Sequence, residues 1–226
     1  MRLANVRSAA TGLHEVRSGG KCGVQSASAA RARSLRDGTN VIDDIEFLDD
    51  STRPTAPPIE GASDLHRAHG KRLTLFHRYH LQQLSQLRRA LDELEKGMGD
   101  VDALAAQVGS MAMIENYRRF GSLCGQECQL LTLHHTIEDQ EIFPRLRDTG
   151  DGLRKVIDRL SAEHLIVHEL LVRLQEATRR FAQDPGAASL ASLRQVYEAL
   201  ERVVISHFGY EERELEEALG FYGIPL

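Results

Sequence analysis

From Ser63 onward apolar residues recur every three to four positions, and this spacing predicts four long amphipathic helices. The first starts at a Ser63 cap and carries Leu73, His77, Leu84, Leu87 and Leu91 on one stripe before Gly97 and Gly99 end it. After a short segment at 101–109, a second covers about 111–147, with Cys124, Cys128, Leu131, His135, Glu138 and Ile142 in line. Gly150-Asp151-Gly152 turns the chain into a third helix at about 153–183, through Val156, Leu160, His164, His168, Leu171 and Leu174. Asp184-Pro185-Gly186 breaks it, and a fourth runs over about 187–218, through Leu193, Leu200, Val204, His207, Glu211 and Leu215. Short turns between long helices make neighbours antiparallel, so the expected fold is all-α, an up-down four-helix bundle over residues 61–226.

Nothing before residue 60 carries such a pattern. Residues 1 to about 36 are rich in Ala, Ser, Gly and Arg with Glu15 as the single acid, and they hold no secretory-type apolar segment. The stretch loosely resembles an organellar transit peptide, but so little apolar surface reads first as a disordered leader. Residues 37–60 turn acidic (Asp43, Asp44, Glu46, Asp49, Asp50) and then meet Pro54, Pro57 and Pro58, the composition of a linker or a loosely docked strap. Residues 1–60 are therefore taken as a low-complexity leader and linker.

Composition narrows the function. A net charge of −5 argues against a general nucleic-acid binder, and no apolar run reaches the ~18 residues that span a bilayer. Three cysteines, an odd number, suggest a reducing, cytoplasmic setting rather than an oxidised scaffold.

Ten histidines then stand out by their spacing. His134-His135 precede Glu138-Asp139, His164 precedes His168, and His207 precedes Glu211-Glu212. Residues four apart share a helix face and can share a metal ion. Measured from one end of an antiparallel bundle, His77, His134, the His164/His168 pair and His207 all fall at a height of roughly 16–22 Å, so they can meet. Seven candidate ligands, five His and two Glu, are too many for one tetrahedral zinc and suit two iron or manganese ions bridged by carboxylates. Two divalent ions carry +4, which two carboxylates and a hydroxide reduce to +1, a charge that a buried site tolerates. Five histidines split three and two, which leaves one ion an open position. Each HxxxE pair alone reads more simply as a surface polar or ion pair, and the His164/His168 pair alone is the stronger metal signal. His80 rivals His77 from one turn away, while His66 and His69 read as solvent-facing groups or as groups behind the ligands, and His14 as part of the tail. Cys124 and Cys128 read as small buried residues above the site. The Glu/Arg runs at 171–180 and 211–217 read as solvated faces, and Phe221–Leu226 as a segment able to fold back as a cap.

The order H … HxxxE … HxxxH … HxxxE resembles the hemerythrin-like, or HHE cation-binding, family over about residues 70–218. Leu133-His-His-Thr-Ile-Glu-Asp-Gln-Glu-Ile-Phe-Pro144 is similar to that family's second-helix signature, and Phe76-His77-Arg-Tyr-His-Leu-Gln-Gln-Leu84 to its first. Cys124-x-x-x-Cys128 is similar to a bacterial, actinobacterial-type branch. The resemblance implies that His77, His134, Glu138, His164, His168, His207 and Glu211 ligate a non-haem centre of two iron ions. His135/Asp139 form a competing register, more simply groups that orient a ligand imidazole, and Glu212 is an alternative to Glu211. The function implied is binding or detoxifying a small oxidant (dioxygen, peroxide or nitric oxide), with or without turnover. The alternative is an iron or oxygen sensor, or an iron-storage module. No nucleic-acid or membrane partner is implied, and the oligomeric state stays open.

Overall fold

The computed structural model describes residues 41–97 and 126–226. Among them all regular structure is helical: a 3-10 turn (Asp50–Thr52), α1 (Asp64–Gly70), α2 (Leu73–Gly97), α3 (Gln126–Ile137), a π turn (Glu138–Ile142), α4 (Phe143–Arg147), α5 (Asp151–Gln183) and α6 (Ala187–Phe221). The four long bundle segments are α2, the continuous run from α3 through α4, α5 and α6. Expectations for the leader up to residue 40, for 101–109 and for 111–125, Cys124 included, fall outside the described residues. None of the described helices is long and apolar enough to cross a membrane.

The apolar periodicity does what it predicts. On α5 the buried positions step through Leu153, Val156, Leu160, His164, Val167, Leu171, Leu174, Thr178 and Phe181, in threes and fours as a seam between helices requires. Leu73, Phe143, Leu146, Leu160 and Leu215 form an apolar floor with Ile224. Leu91, Leu94, Leu170, Leu174, Leu193 and Leu200 fill the opposite half. At roughly 1.5–3 kcal/mol per buried aliphatic or aromatic side chain, these two layers drive assembly. The buried His and Glu side chains lie between them as a polar slice.

Three local features depart from the sequence pattern. Ser63 caps a helix as expected, its hydroxyl accepting from the His66 N–H, but that helix ends at Gly70 and the chain restarts at Leu73. The break accompanies a close approach: a Cβ on Gly70 would sit 1.9 Å from Glu216 O, and one on Gly220 1.8 Å from His66 O. α1 thus lies against the end of α6 at a spacing that only glycine permits. The second departure is the π turn. Pro144 lacks the N–H that an α-helix would direct to Gln140 O, and its ring crowds that carbonyl. The ladder slips locally, and the Phe143 N–H donates to Glu138 O five residues back. Third, Cys128 is buried as expected but belongs to a disulfide, a pairing that an odd cysteine count conceals.

Residues 41–60 are docked on the bundle by specific bonds rather than loosely. Arg173 donates to Val41 O and pairs with Asp44, and Arg159 donates to Asp49 O. The Ala56 and Ile59 N–H groups donate to Glu214 and Glu217, each at 2.7 Å. Tyr210 donates to Pro54 O. The runs read as solvated faces therefore include buried Arg173 and Glu214. Helical periodicity cannot reveal a cover supplied from more than a hundred residues away. At the other end, Phe221–Leu226 does fold back: Ile224 is buried, its N–H donates to Leu219 O, and His69 Nε2 bonds its carbonyl.

Candidate metal centre

α2 carries His77, α3 carries His134 and His135, and the π turn opens on Glu138. α5 carries His164, and α6 carries His207 and Glu211. Their ligand atoms form two groups, each with all atoms within 4.8 Å of one another: His77, His134, Glu138 and Glu211 in one, His135, His164 and His207 in the other. The carboxylates join the groups. Glu138 Oε1 lies 3.1 Å from His134 Nε2 while its Oε2 lies 3.5 Å from His164 Nε2. Glu211 Oε2 lies 3.4 Å from His77 Nε2 and 3.7 Å from His207 Nε2.

These groups are short of partners in a telling way. Among the described residues, the buried side-chain polar atoms that lack a hydrogen bond are Arg194 Nη1 and otherwise only atoms of this cluster. They are Nε2 of all five histidines, His164 Nδ1, both Glu138 oxygens and Glu211 Oε2. Each such atom costs about 1–3 kcal/mol when left unpaired. Concentrating that cost at one level of the bundle makes sense if the atoms are aimed at a cation. Five imidazole nitrogens and two carboxylates fit a pair of divalent ions of intermediate hardness.

Electrostatics agrees with a ligand role. Burial pushes His134 down to about 3, against the pull of Glu211, and lowers His135 well below its usual range, with His164 and His207 adding to the effect. Burial lowers His207 too, outweighing its bond to Glu163. These imidazoles are neutral, as metal ligation requires. His77 runs the other way: burial opposes its charging, but Glu211 and Glu212 outweigh it and raise the ring. Glu138 is raised well above the carboxylate range by burial and then by Glu211, while His77 and His207 overcome burial to hold Glu211 low.

An outer layer fixes the rings. Glu212 accepts from His77 Nδ1 at 2.9 Å and Glu163 from His207 Nδ1 at 3.0 Å, and Asp139 Oδ1 lies 3.1 Å from His164 Nδ1. The carboxylates bonded to the far nitrogens of His77 and His207 hold those two rings in the tautomer whose Nε2 lone pair faces the site, and Asp139 stands within ion-pair distance of the third. Phe208 stacks on His77 at 3.8 Å, and His135 on His164 at 4.1 Å, so ring packing adds to the constraint.

The structure brings together six of the seven residues drawn from sequence: His77, His134, Glu138, His164, His207 and Glu211. His168 is not among them. It stands exposed on α5, one position past the Val167 seam and turned to solvent. His135 takes the place foreseen for it. The two registers of the His134-His135 doublet do not compete, because adjacent residues on a helix diverge by about 100° and each imidazole serves a different group. The signal that could have shown this was the doublet itself. Glu211 rather than Glu212 faces inward, with Glu212 behind His77. His77 rather than His80 joins the cluster, and His80 is buried beside it. Glu163, unremarked in the sequence, proves to be the partner of His207.

One face remains open. A cavity of about 400 Å³ is walled by Leu73, Phe76, Leu130, Leu133 and Ile137 and reaches His80, His134 and Glu138. His134 is the one clustered residue with appreciable exposure, its side chain at 12%.

A model of the hemerythrin HHE cation-binding domain matches residues 69–219, two-thirds of the chain. No curated protein sequence and no solved structure matches it. The match begins at the end of α1 and closes within the last turns of α6, spanning every clustered His and Glu, and the chain belongs to the hemerythrin HHE cation-binding domain family.

Proposed function

We propose that the chain holds two iron ions and binds or consumes a small oxidant (dioxygen, hydrogen peroxide or nitric oxide) that arrives through the apolar cavity. The observation that carries this reading is the placement of Glu138 and Glu211, each between two imidazole groups. His77 and His134 would serve one ion and His135, His164 and His207 the other, with both carboxylates shared. Bound iron would supply the one- or two-electron chemistry. The chain supplies the rest. Its carboxylates offset the charge, the Nδ1 partners orient the rings, and the apolar walls of the cavity favour a small uncharged ligand over ions. Asp139, partly exposed beside His164, is suited to exchange a proton between the site and solvent.

Anaerobic ferrous loading followed by metal analysis tests the reading. Two irons per chain are expected, followed by loss of added peroxide, oxygen or nitric oxide at a rate proportional to iron content. Zinc as the native metal, or fewer than one iron per chain, overturns it. A sensor without turnover is the second reading, and the docked strap at 41–60 favours it. Two irons per chain with no consumption of any oxidant would select it.

A further inference from the structure

We propose that Arg53, carried in on the strap, is a positioning residue for the metal centre: it holds Glu163 against His207 and so couples strap docking to metal affinity. The inference rests on the metal-binding reading above. Arg53 lies sixteen residues before the matched domain begins, so the domain supplies the socket and the preceding segment supplies the key.

The geometry is a chain of contacts ending on a ligand. Glu163 is buried at 3% exposure, and both its oxygens are engaged by Arg53, Nε to Oε1 and Nη2 to Oε2, each at 2.9 Å. Such a two-pronged pair fixes the plane of the carboxylate as well as its place. Arg159 Nε adds a 2.6 Å bond to Oε1, and Oε2 accepts from His207 Nδ1. An ionised carboxylate can only accept, so His207 carries its proton on Nδ1 and presents Nε2 to the site. Arg53 is itself held at three further points. Its Nη1 donates to Ser206 Oγ at 2.8 Å, Asp50 pairs with it at 3.3 Å, and its guanidinium lies 4.7 Å over the Tyr210 ring.

Glu163 would keep Arg159 without Arg53, but it would lose the fork that sets its orientation. Arg159 approaches from one turn earlier on the same helix and bonds one oxygen only. The oxygen facing His207 would be left without a guanidinium. A carboxylate that is free to rotate holds the imidazole less firmly, and loss of such an outer partner typically weakens a metal site about 10–100-fold. The coupling is reciprocal: if a docked strap tightens metal binding, bound metal tightens the strap by the same factor.

The test titrates cobalt(II) alone into the full chain against a competing chelator, with visible absorption as the readout. Wild type should take two ions. Arg53→Ala should weaken one step about 10–100-fold and leave the other within about threefold, with Arg53→Lys between. Glu163→Gln should weaken the same step, and the double variant should lose no more than the worse single variant. Limited proteolysis within 41–60 should slow on metal loading in wild type and not in Arg53→Ala. Unchanged cobalt affinities in Arg53→Ala overturn the proposal. So do additive losses in the double variant, or equal weakening of both steps in proportion to a fall in metal-free melting temperature. A wild type that fails to take two ions would instead overturn the metal-binding reading itself.

Discussion

His135 separates the structure's reading of the centre most sharply from the sequence pattern, and replacing it by Phe should change stability in opposite directions with and without metal. In the metal-free protein His135 Nε2 is buried without a hydrogen-bond partner. Removing it relieves about 1–3 kcal/mol, less the cost of a near-isosteric swap, under about 1.5 kcal/mol. The stack on His164, 4.1 Å apart and 14° from parallel, is kept by a phenyl ring. Metal-free His135→Phe should therefore be about 1–2 kcal/mol more stable than wild type. Loading reverses the order. At a free metal concentration a thousandfold above Kd, each ion adds about 4 kcal/mol. A variant left with one ion forgoes that contribution and ends about 2–3 kcal/mol below loaded wild type. For a chain of this size that is roughly 5–10 °C in melting temperature. Calorimetry of both states, with metal content measured on the same samples, makes the comparison. Two ions retained in His135→Phe, or a melting temperature that falls in both states, refutes the reasoning. His168→Ala is the matched control, and loss of an ion there would restore the His164/His168 pair.

Three further outcomes are expected. Glu138→Gln should bind neither ion well, because its two oxygens face different imidazole groups, whereas Asp139→Asn should weaken one ion about 10–100-fold; metal analysis of both variants decides, and equal metal content would show that Glu138 bridges nothing. Gly70→Ala should cost about 3 kcal/mol in urea unfolding, since the new Cβ would meet the Glu216 carbonyl at 1.9 Å and a backbone must move; a cost below about 1 kcal/mol would mean that α1 is free to shift. Glu163 is held at about 2, below its usual 4.5, where bonds from His207, Arg53 and Arg159 overcome burial. A depressed carboxylate stabilises the fold fully above its unfolded pKa and loses that contribution as pH falls, here about 3 kcal/mol in all, with roughly 2 kcal/mol gone by pH 3. The stability gap between metal-free wild type and Glu163→Gln should shrink accordingly between pH 5 and pH 3, and a gap independent of pH would show that Glu163 is not ionised.

The helices were legible because they obey local rules. Ser63 announces a cap, Asp184-Pro185-Gly186 a break, and the three-to-four spacing on α5 a buried seam, all within a few residues of the positions they describe. Most of the centre was legible for the same reason: His134 and Glu138, or His207 and Glu211, lie one turn apart on one helix. His164 and His168 satisfy that rule equally well and yet part company. The seam drifts relative to a straight helix, and only neighbouring helices decide which side of it is covered. His135 shows the converse, since one-face reasoning sets aside an adjacent residue that the structure places in the same cluster.

By itself the sequence determined the all-helical class, the order of the long segments, the level at which His and Glu residues gather, and the family to which the chain belongs. Those properties reside in residues close together along the chain or in motifs repeated at fixed spacing. Tertiary structure alone decided that His135 enters and His168 leaves, that Glu138 and Glu211 each stand between two groups, and that residues 41–60 clasp the bundle through Arg53 and Glu163. Each of these depends on which surfaces meet across more than twenty residues of sequence. Burial and the demand that buried polar atoms find partners settle that question, and neither acts on a helix in isolation.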